Sequence, residues 1–260
     1  MPVTLKVPLR RLSQSEFGDI AYEVIRHAFA IHHELGRFFD ERIYKNELAR
    51  RMPGVTLEVP IEIDFESFHK CLYLDMLVDA GAVFEFKTVE KLTGMHRAQL
   101  IQYLLLCELP HGKLINMRPG QVEHEFVNAT QRFADRTQFE TNSERWNDSI
   151  RELAQLREYM VALLRDLGTG LSISLYEEAA TQNEMHVGVF LNGHELGEQR
   201  VRLIAPDIAL KISGFDSPSD HFETHARRWL AHVNLSAIAW INIGKKKVTF
   251  TTIHKSHSQK

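Results

Sequence analysis

The amino-acid sequence predicts an α/β fold made of two halves, each with a mixed central sheet flanked by helices. Three observations predict it: helical and strand-like segments alternate, a similar order of segments occurs twice, and the composition is that of a globular protein. The chain has 260 residues, of which 44% are hydrophobic and 25% are charged. Such values are close to the globular average and exclude a collagen-like or disordered chain.

Two helices are predicted near the start of the chain. Apolar residues at helical spacing predict a helix over 16–35. Ser13 and Glu16 form a capping-box pattern at its beginning, and Gly36 provides its stop signal. A second helix is expected over 41–51, where a Pro-Gly pair follows.

Strands and one further helix follow in the first half. Residues 55–65 alternate apolar and polar side chains with period two, which predicts a strand. The remaining predicted elements are strands over 71–78, 82–88, 113–116 and 122–127, and a helix over 95–106.

A polar segment separates the two halves. Residues 132–145 are rich in Asp, Asn, Ser and Thr, which predicts a linker. A long helical pattern then runs from about Trp146 to Gly168. We therefore expect two domains, 1–135 and 136–260.

The second half repeats the first in outline. The matched pairs are Gly36 with Gly168, Tyr44 with Tyr176, Lys87 with Lys211 and Asn116 with Asn242. Because the order of predicted elements also recurs, we expect two tandem copies of one fold. The alternative is that two α/β segments of similar length agree by chance.

Acidic residues and a lysine share one face of the predicted sheet. Glu85 and Lys87 are two apart on a strand and therefore point to the same side. A three-residue hairpin loop over 79–81, with Gly81 in the left-handed conformation, places Asp75 directly across from Glu85. Buried like charges are costly, and a hard cation such as Mg²⁺ or Mn²⁺ would offset their repulsion.

This arrangement, Asp75 followed by Glu85-Phe86-Lys87, resembles the signature of the PD-(D/E)XK nuclease superfamily. Neighbouring runs resemble the motifs of the GxxExxY family, whose members are predicted nucleases of that superfamily. These runs are His32–Gly36, Gly36–Tyr44, Glu85–Glu90 and Ala98–Tyr103. The resemblance covers about residues 15–128. Phe38 departs from it, because the family commonly has glycine there, whereas the second half keeps Gly-x-Gly at 168–170.

The resemblance implies a restriction-endonuclease-like fold and a metal-dependent catalytic site. Asp75 and Glu85 would bind the divalent ion, Mg²⁺ or Mn²⁺, and Glu41 could complete its shell. Lys87 would orient or deprotonate the attacking water, or stabilise charge on the phosphate oxygens. His32 is a further candidate ligand, with a purely structural histidine as the alternative.

The resemblance also implies roles for a pair of residues on the predicted third helix. Gln99 and Tyr103 are four apart and lie on one helical face. In related exonuclease-like members this pair points at the site and at the nucleic-acid backbone. A simple interface aromatic is the alternative for Tyr103.

The second half lacks the acidic residues. With Lys211 matched to Lys87, the glutamate position holds Ala209, and Glu41 is replaced by Ile173. We therefore expect a catalytically dead copy that completes a pseudo-dimer within one chain, a homodimer being the alternative assembly. Its candidate phosphate contacts are Arg200, Arg202, Arg227, Arg228 and Lys245–Lys247. The three turn lysines have a simpler explanation as solvated side chains.

The expected function is a divalent-metal-dependent nuclease with DNA as its substrate. A non-catalytic nucleic-acid-binding or assembly protein on a nuclease fold is the alternative, and hydrolysis of another phosphodiester is a third hypothesis. The net charge of −3 provides no global attraction for nucleic acid, so contacts must be local. Two cysteines, no C-x-x-C pair and no long apolar run favour a cytoplasmic protein that does not enter a membrane.

Overall fold

The computed structural model describes residues 2–216 and 220–255. The chain divides into two compact units between Phe133 and Ala134. The outer ends of the two predicted domains, Met1 and Lys260, lie outside the described residues. Each unit has a six-stranded mixed sheet flanked by helices, consistent with a restriction-endonuclease-like fold. The predicted α/β class is confirmed.

In the first unit the sheet has the order β1-β2-β3-β4-β5-β6. The strands are β1 Val3–Leu5, β2 Val55–Phe65, β3 Phe68–Val78, β4 Ala82–Lys87, β5 His111–Asn116 and β6 Glu123–Asn128. The helices are α1 Gln14–Leu35, α2 Glu41–Arg51 and α3 Gly94–Leu106, and the short α4 Phe133–Thr137 lies at the division. Strands β4 and β5 are parallel, and the other neighbouring pairs are antiparallel.

In the second unit the sheet has the order β7-β12-β11-β10-β9-β8. Its strands are β7 Glu140–Arg145, β8 Glu184–Leu191, β9 His194–Ala205, β10 Ile208–Ser213, β11 Ala237–Ile243 and β12 Lys247–His254. Its helices are α5 Arg151–Leu167, α6 Ile173–Ala180 and α7 Asp220–Ala231. Strands β2–β6 and β8–β12 therefore follow the same order, with the parallel pair β4/β5 matched by β10/β11.

The turn between the first two helices of each unit is closed by a buried tyrosine. The Tyr44 hydroxyl donates to the carbonyl of Gly36 at 2.8 Å. The Tyr176 hydroxyl donates to the carbonyl of Gly168 at 2.7 Å. Both glycines have positive φ, 74° and 78°, which a side chain would strain.

A buried asparagine clamps the segment after the parallel strand in each unit. Asn116 donates to the carbonyl of Val89 at 2.7 Å and accepts from its N–H at 3.1 Å. Asn242 does the same with Phe215, at 3.0 and 2.9 Å. The two units thus share this contact as well as the strand order.

The asparagine clamp corrects one matched pair of the sequence comparison. Lys87 pairs with Asn116 across β4 and β5, whereas Ser213 pairs with Asn242 across β10 and β11. Ser213 therefore occupies the position of Lys87. Lys211, two residues earlier, occupies the position of Glu85, so the predicted match of Lys87 with Lys211 is wrong.

The two faces of β4 have different surroundings. Phe84 and Phe86 are fully buried in a core cluster that includes Phe17 and Val24 of α1. Because side chains alternate along a strand, Glu85 and the other odd-numbered residues face away from this cluster. The core therefore fixes which face carries the acidic residues.

The predicted linker is wrong over part of its length. Residues 140–145 form β7, which pairs in parallel with β12. The sequence misleads because β7 is an edge strand whose side chains are all exposed or half-exposed, so no apolar alternation marks it. The long helix correspondingly begins at Arg151, later than the predicted Trp146, whose indole N–H donates to the carbonyl of Leu153 at 3.0 Å.

The β3–β4 hairpin has the predicted loop but a different conformation. Asp79 and Ala80 carry the positive φ angles, 47° and 56°. Gly81 does not, so the predicted left-handed Gly81 is wrong. Glycine is required there for space, since a Cβ would lie 2.4 Å from the carbonyl oxygen of Arg10. Among the described residues, no helix is long and apolar enough to cross a membrane.

Candidate active site

Adjacent strands bring Asp75 and Glu85 together. The pairs 76–84, 77–83 and 78–82 join β3 and β4 in the predicted register. Beyond them the carboxylate of Asp75 replaces a strand hydrogen bond, because its Oδ2 accepts from the N–H of Phe86 at 2.9 Å. The Asp75 side chain is thereby fixed beside the end of β4, next to Lys87.

Glu85 is an acid in an apolar position. It is 1% exposed, and its Oε1 accepts from Lys87 Nζ at 2.6 Å. Its Oε2 is buried and has no hydrogen-bond partner among the described residues. Burial, and next the charge of Asp75, raise the pKa of Glu85 to about 8. An acid held in this way binds either a proton or a cation.

Lys87 remains a cation despite its surroundings. Burial favours its neutral form, but the charges of Glu85, Asp75 and Glu41 outweigh burial and raise its pKa. Its ammonium group therefore stays protonated at neutral pH. A charged lysine beside two acids suits electrostatic stabilisation better than proton abstraction.

Helix α2 contributes a second buried lysine, which the sequence analysis missed. Lys45 Nζ lies 2.8 Å from Asp75 Oδ1, 2.5 Å from Glu58 Oε1 and 3.3 Å from Glu41 Oε1. Burial opposes its charge, yet the hydrogen bonds to Asp75 and Glu58 raise its pKa. The i,i+4 spacing from Glu41 is the one sequence signal for this contact.

Glu58 reaches the cluster through an unusual backbone conformation. It lies between the pairs Leu57–Met76 and Val59–Leu74, across from Asp75. Its φ of 51° falls in the left-handed region, uncommon for a residue other than glycine. No pattern in the sequence indicates this conformation, so Glu58 could not have been found before the structure.

Glu41 stands at the start of α2, on the edge of the cluster. Burial, and next the charge of Asp75, raise its pKa, while Lys87 and Lys45 oppose this effect. Its Oε1 lies 3.3 Å from Lys45 Nζ, so Glu41 belongs to the same cluster as Asp75. The predicted set Glu41, Asp75, Glu85 and Lys87 is therefore assembled at one place.

Gln99 and Tyr103 approach the same place from α3. Gln99 Nε2 donates to the Tyr103 hydroxyl at 3.0 Å. Tyr103 is 7% exposed, and burial, with further contributions from the charges of Glu85 and Asp75, raises its pKa. The Tyr103 hydroxyl accordingly borders the acidic cluster.

His32 is engaged elsewhere. Its Nε2 lies 3.0 Å from the carbonyl oxygen of Pro119, a contact in which this nitrogen is the donor. The proton on Nε2 leaves Nδ1 as the nitrogen that could bind a metal ion. Among the described residues no contact joins His32 to the acidic cluster, so we leave it out of the site that we propose below.

The donor atoms can be tested for their fit to a divalent cation. Within residues 2–216 and 220–255, no three His, Cys, Asp or Glu side chains are grouped as a metal-binding set. Lys45 and Lys87 instead neutralise the acids. The orphaned Oε2 of Glu85 is nevertheless a hard oxygen donor of the kind that Mg²⁺ and Mn²⁺ prefer, as are the carboxylates of Asp75 and Glu41. An ion bound by these acids would have to displace their contacts with Lys45 and Lys87.

Comparison with known proteins agrees with this geometry. Residues 18–129 match a family model described as the PD-(D/E)XK nuclease superfamily. The match covers most of the first unit and less than half of the chain, and it indicates a nuclease-like domain there. Nucleases of that superfamily typically use divalent metal ions. No curated protein and no solved structure gave a significant match.

Proposed function

We propose that the first unit is a divalent-metal-dependent nuclease that hydrolyses phosphodiester bonds, with DNA as the substrate. The observation that carries this proposal is the placement of Asp75, Glu85 and Lys87 on one face at the β3–β4 junction, inside the region that matches the nuclease superfamily. Buried acids whose charge lacks a full set of partners are typical of catalytic sites rather than structural ones.

Three acids would hold the ion, Mg²⁺ or Mn²⁺. These are Asp75, Glu85 and Glu41, with the carbonyl of Phe86 as a further oxygen nearby. The bound ion would lower the pKa of a water molecule and polarise the phosphate. Because the pKa of Lys87 is raised, we assign this residue to stabilising the negative charge that develops on the phosphate oxygens. Gln99 and Tyr103 would position the DNA strand.

We propose that the second unit is a degenerate copy of the first, so that the chain has two related domains, 1–135 and 136–260. The shared strand order, the tyrosine contact and the asparagine clamp support a common origin. The positions of Glu41 and Glu85 hold Ile173 and Lys211, so this copy lacks the acids for catalysis.

A second candidate function is nucleic-acid binding without cleavage. It is favoured by one observation, the occupation of Asp75 Oδ1 by Lys45 in a network that already neutralises the acids. Under this hypothesis the cluster is a buried ion-pair network that stabilises the unit, and a divalent ion has no effect on the protein.

A cleavage assay separates the two. We expect purified protein to cleave single- or double-stranded DNA in the presence of Mg²⁺ or Mn²⁺ but not in EDTA, and we expect Asp75→Asn to abolish the reaction. The exposed Asp64, at the far end of β2, provides the matched control Asp64→Asn, which should cleave normally. RNA is tested in parallel. Absence of cleavage with every metal, or equal cleavage by the Asp75 variant, would contradict the proposal.

A further inference from the structure

The second unit contains a charged cavity of about 280 Å³ at the junction of β8, β9, β10 and α6. Its charged lining consists of Glu177, Glu184, Arg200, Arg202 and Lys211. The same junction in the first unit, between β2, β3, β4 and α2, holds the acidic cluster. The two units therefore place charged groups at corresponding points of the same sheet order.

The charges at these corresponding points have opposite signs. The asparagine clamp aligns Lys211 with Glu85. The tyrosine contact aligns Glu177, which follows Tyr176, with Lys45, which follows Tyr44. The position that holds an acid in the first unit, Glu85, therefore holds a positively charged side chain in the second, Lys211.

Ion pairing leaves one lysine of the cavity without a counter-ion. Arg202 lies 2.7 Å from Glu184 Oε1, and Arg200 pairs with the other oxygen of the same carboxylate. Lys211 forms no ion pair within the part of the chain that the structure describes. Its Nζ lies 5.7 Å from the ring centroid of Trp229. With three cations and two acids, the cavity has a surplus of one positive charge.

Trp229 adds a flat aromatic surface beside this lysine. When the two units are aligned on Asn116 and Asn242, Trp229 on α7 corresponds to Tyr103 on α3. Its side chain is only partly buried. The indole N–H donates to Gln199 Oε1 at 2.9 Å, which fixes the ring. Because Lys211 Nζ lies over this ring, the indole holds the ammonium group of the lysine in place at the cavity.

We propose that this cavity binds one phosphodiester group of a nucleic-acid strand through Lys211. Arg200 is a second contact, because its side chain is 72% exposed and it shares the single carboxylate of Glu184 with Arg202. The surplus of a single positive charge matches a diester, which carries one negative charge. Glu177 stands in the same cavity and disfavours the doubly charged free phosphate. The choice of a nucleic acid rests on the proposed function, whereas the phosphate site itself rests on the cavity alone.

The test is equilibrium binding of a fluorescent single-stranded oligonucleotide to the full chain in EDTA, where no metal-dependent cleavage interferes. We expect Lys211→Met to weaken binding roughly tenfold, as for loss of one charge-assisted contact. The slope of log K against log salt should become shallower by about 0.7, the value for one phosphate on a single strand. Lys211→Arg should retain both the affinity and the salt slope, and Arg165→Met, at an exposed position on α5 of the same unit, is the matched control.

Competition distinguishes the sources of the phosphate. A dinucleotide with one diester should displace the oligonucleotide from wild type, and inorganic phosphate should do so less well. Equal affinity and equal salt slope for the Lys211→Met and Arg165→Met proteins would overturn the site. Stronger competition by inorganic phosphate would overturn its assignment to a strand. Because these readouts need no cleavage, they remain decisive if the nuclease assay fails, and the nuclease assay remains decisive if they fail.

Discussion

At the scale of single residues, the proposed metal-dependent catalysis depends on the acids and lysines around β4. Glu85 is an acid with one oxygen paired to Lys87 and the other unpartnered among the described residues. Lys45 holds Asp75 from the opposite side. In the absence of a metal ion, the lysines therefore limit the repulsion between the acids, and each of them can be tested separately.

The raised pKa of Glu85 predicts a pH dependence of stability. In the unfolded chain its carboxyl releases a proton near the ordinary value of 4.5, and in the folded protein near 8. The folded state therefore binds the proton more tightly, and the metal-free protein loses stability as the pH rises through this window. We expect Glu85→Gln to raise the Tm in EDTA, and to raise it more at pH 8.5 than at pH 5.5.

Thermal unfolding of wild type and variant at the two pH values measures this effect. Glu90→Gln, at an exposed position of the same unit, is the control and should change the Tm equally little at both. An increase in Tm for Glu85→Gln that is the same at pH 5.5 and pH 8.5 would show that Glu85 does not titrate in this window.

Lys45 gives a second residue-level prediction. Its side chain is 6% exposed and that of its partner Asp75 is 13% exposed, so Lys45→Met leaves a largely buried acid without its counter-ion. We expect a loss of about 3–5 kcal/mol in the free energy of unfolding without metal, the range for breaking a buried ion pair. Added Mn²⁺ should stabilise this variant more than wild type, because the ion replaces the missing cation. Denaturant unfolding with and without Mn²⁺ measures both, with exposed Lys91→Met as control.

One outcome would contradict this prediction for Lys45. If Mn²⁺ raised the stability of wild type and of the Lys45→Met protein by the same amount, Lys45 would not occupy the place of a cation. The network would then be structural, as the binding-only hypothesis requires.

At the scale of elements, the local signals of the sequence predict most of the first unit. The Ser13–Glu16 capping box is formed, and the helix predicted over 41–51 has these bounds. The strand over 55–65 also has its predicted bounds. Strong periodicity and caps act through neighbours in the chain, so they are visible in the sequence.

The elements that sequence analysis missed depend on distant partners. Strand β7 exists because β12 offers it an edge, and its own side chains carry no apolar pattern. The positive φ of Glu58 and the crowding of Gly81 by Arg10 likewise arise from tertiary contacts. Asp75 and Glu85 are joined by a local hairpin, so the sequence predicts that they lie together. Lys45 reaches Asp75 from a separate helix, so the sequence does not predict that contact.

The asparagine clamps provide a prediction at this scale. Each side chain satisfies both the N–H and the carbonyl of one distant residue, Val89 or Phe215. We expect Asn116→Ala and Asn242→Ala each to cost about 1–3 kcal/mol, because each change removes a buried amide and leaves a backbone N–H and a carbonyl without their partner. Denaturant unfolding measures this cost, and Asn46→Ala on the exposed side of α2 should change stability by less than about 0.5 kcal/mol. A negligible effect at Asn242 alone would weaken the argument for a shared architecture.

At the scale of the whole molecule, the chain consists of two units with the same strand order and different charges at the corresponding junction. The first carries acids around β4, and the second carries Lys211 with two arginines. If both proposals hold, the labour is divided: one unit cleaves the nucleic-acid strand and the other holds it. The near-neutral total charge hides it, since acidic and basic sites cancel in the sum.

The division of labour predicts how the units behave when separated. Each has its own sheet and core, so residues 1–133 and 134–260 should fold independently. We expect the first fragment to retain metal-dependent cleavage with weakened strand binding, and the second to bind without cleaving. Cleavage by the second fragment, or an inactive first fragment with a native circular dichroism spectrum, would contradict this assignment.

The central claim is that Glu85 holds a divalent ion while Lys87 acts on the phosphate. Parallel measurement of Mn²⁺ binding by calorimetry and of DNA cleavage tests it most directly in the Glu85→Gln and Lys87→Met proteins. We expect Glu85→Gln to lose both activities. We expect Lys87→Met to bind Mn²⁺ but to cleave on the order of 10²–10³-fold more slowly. Wild-type protein that binds no Mn²⁺, or a Glu85→Gln protein that binds and cleaves normally, would contradict the account.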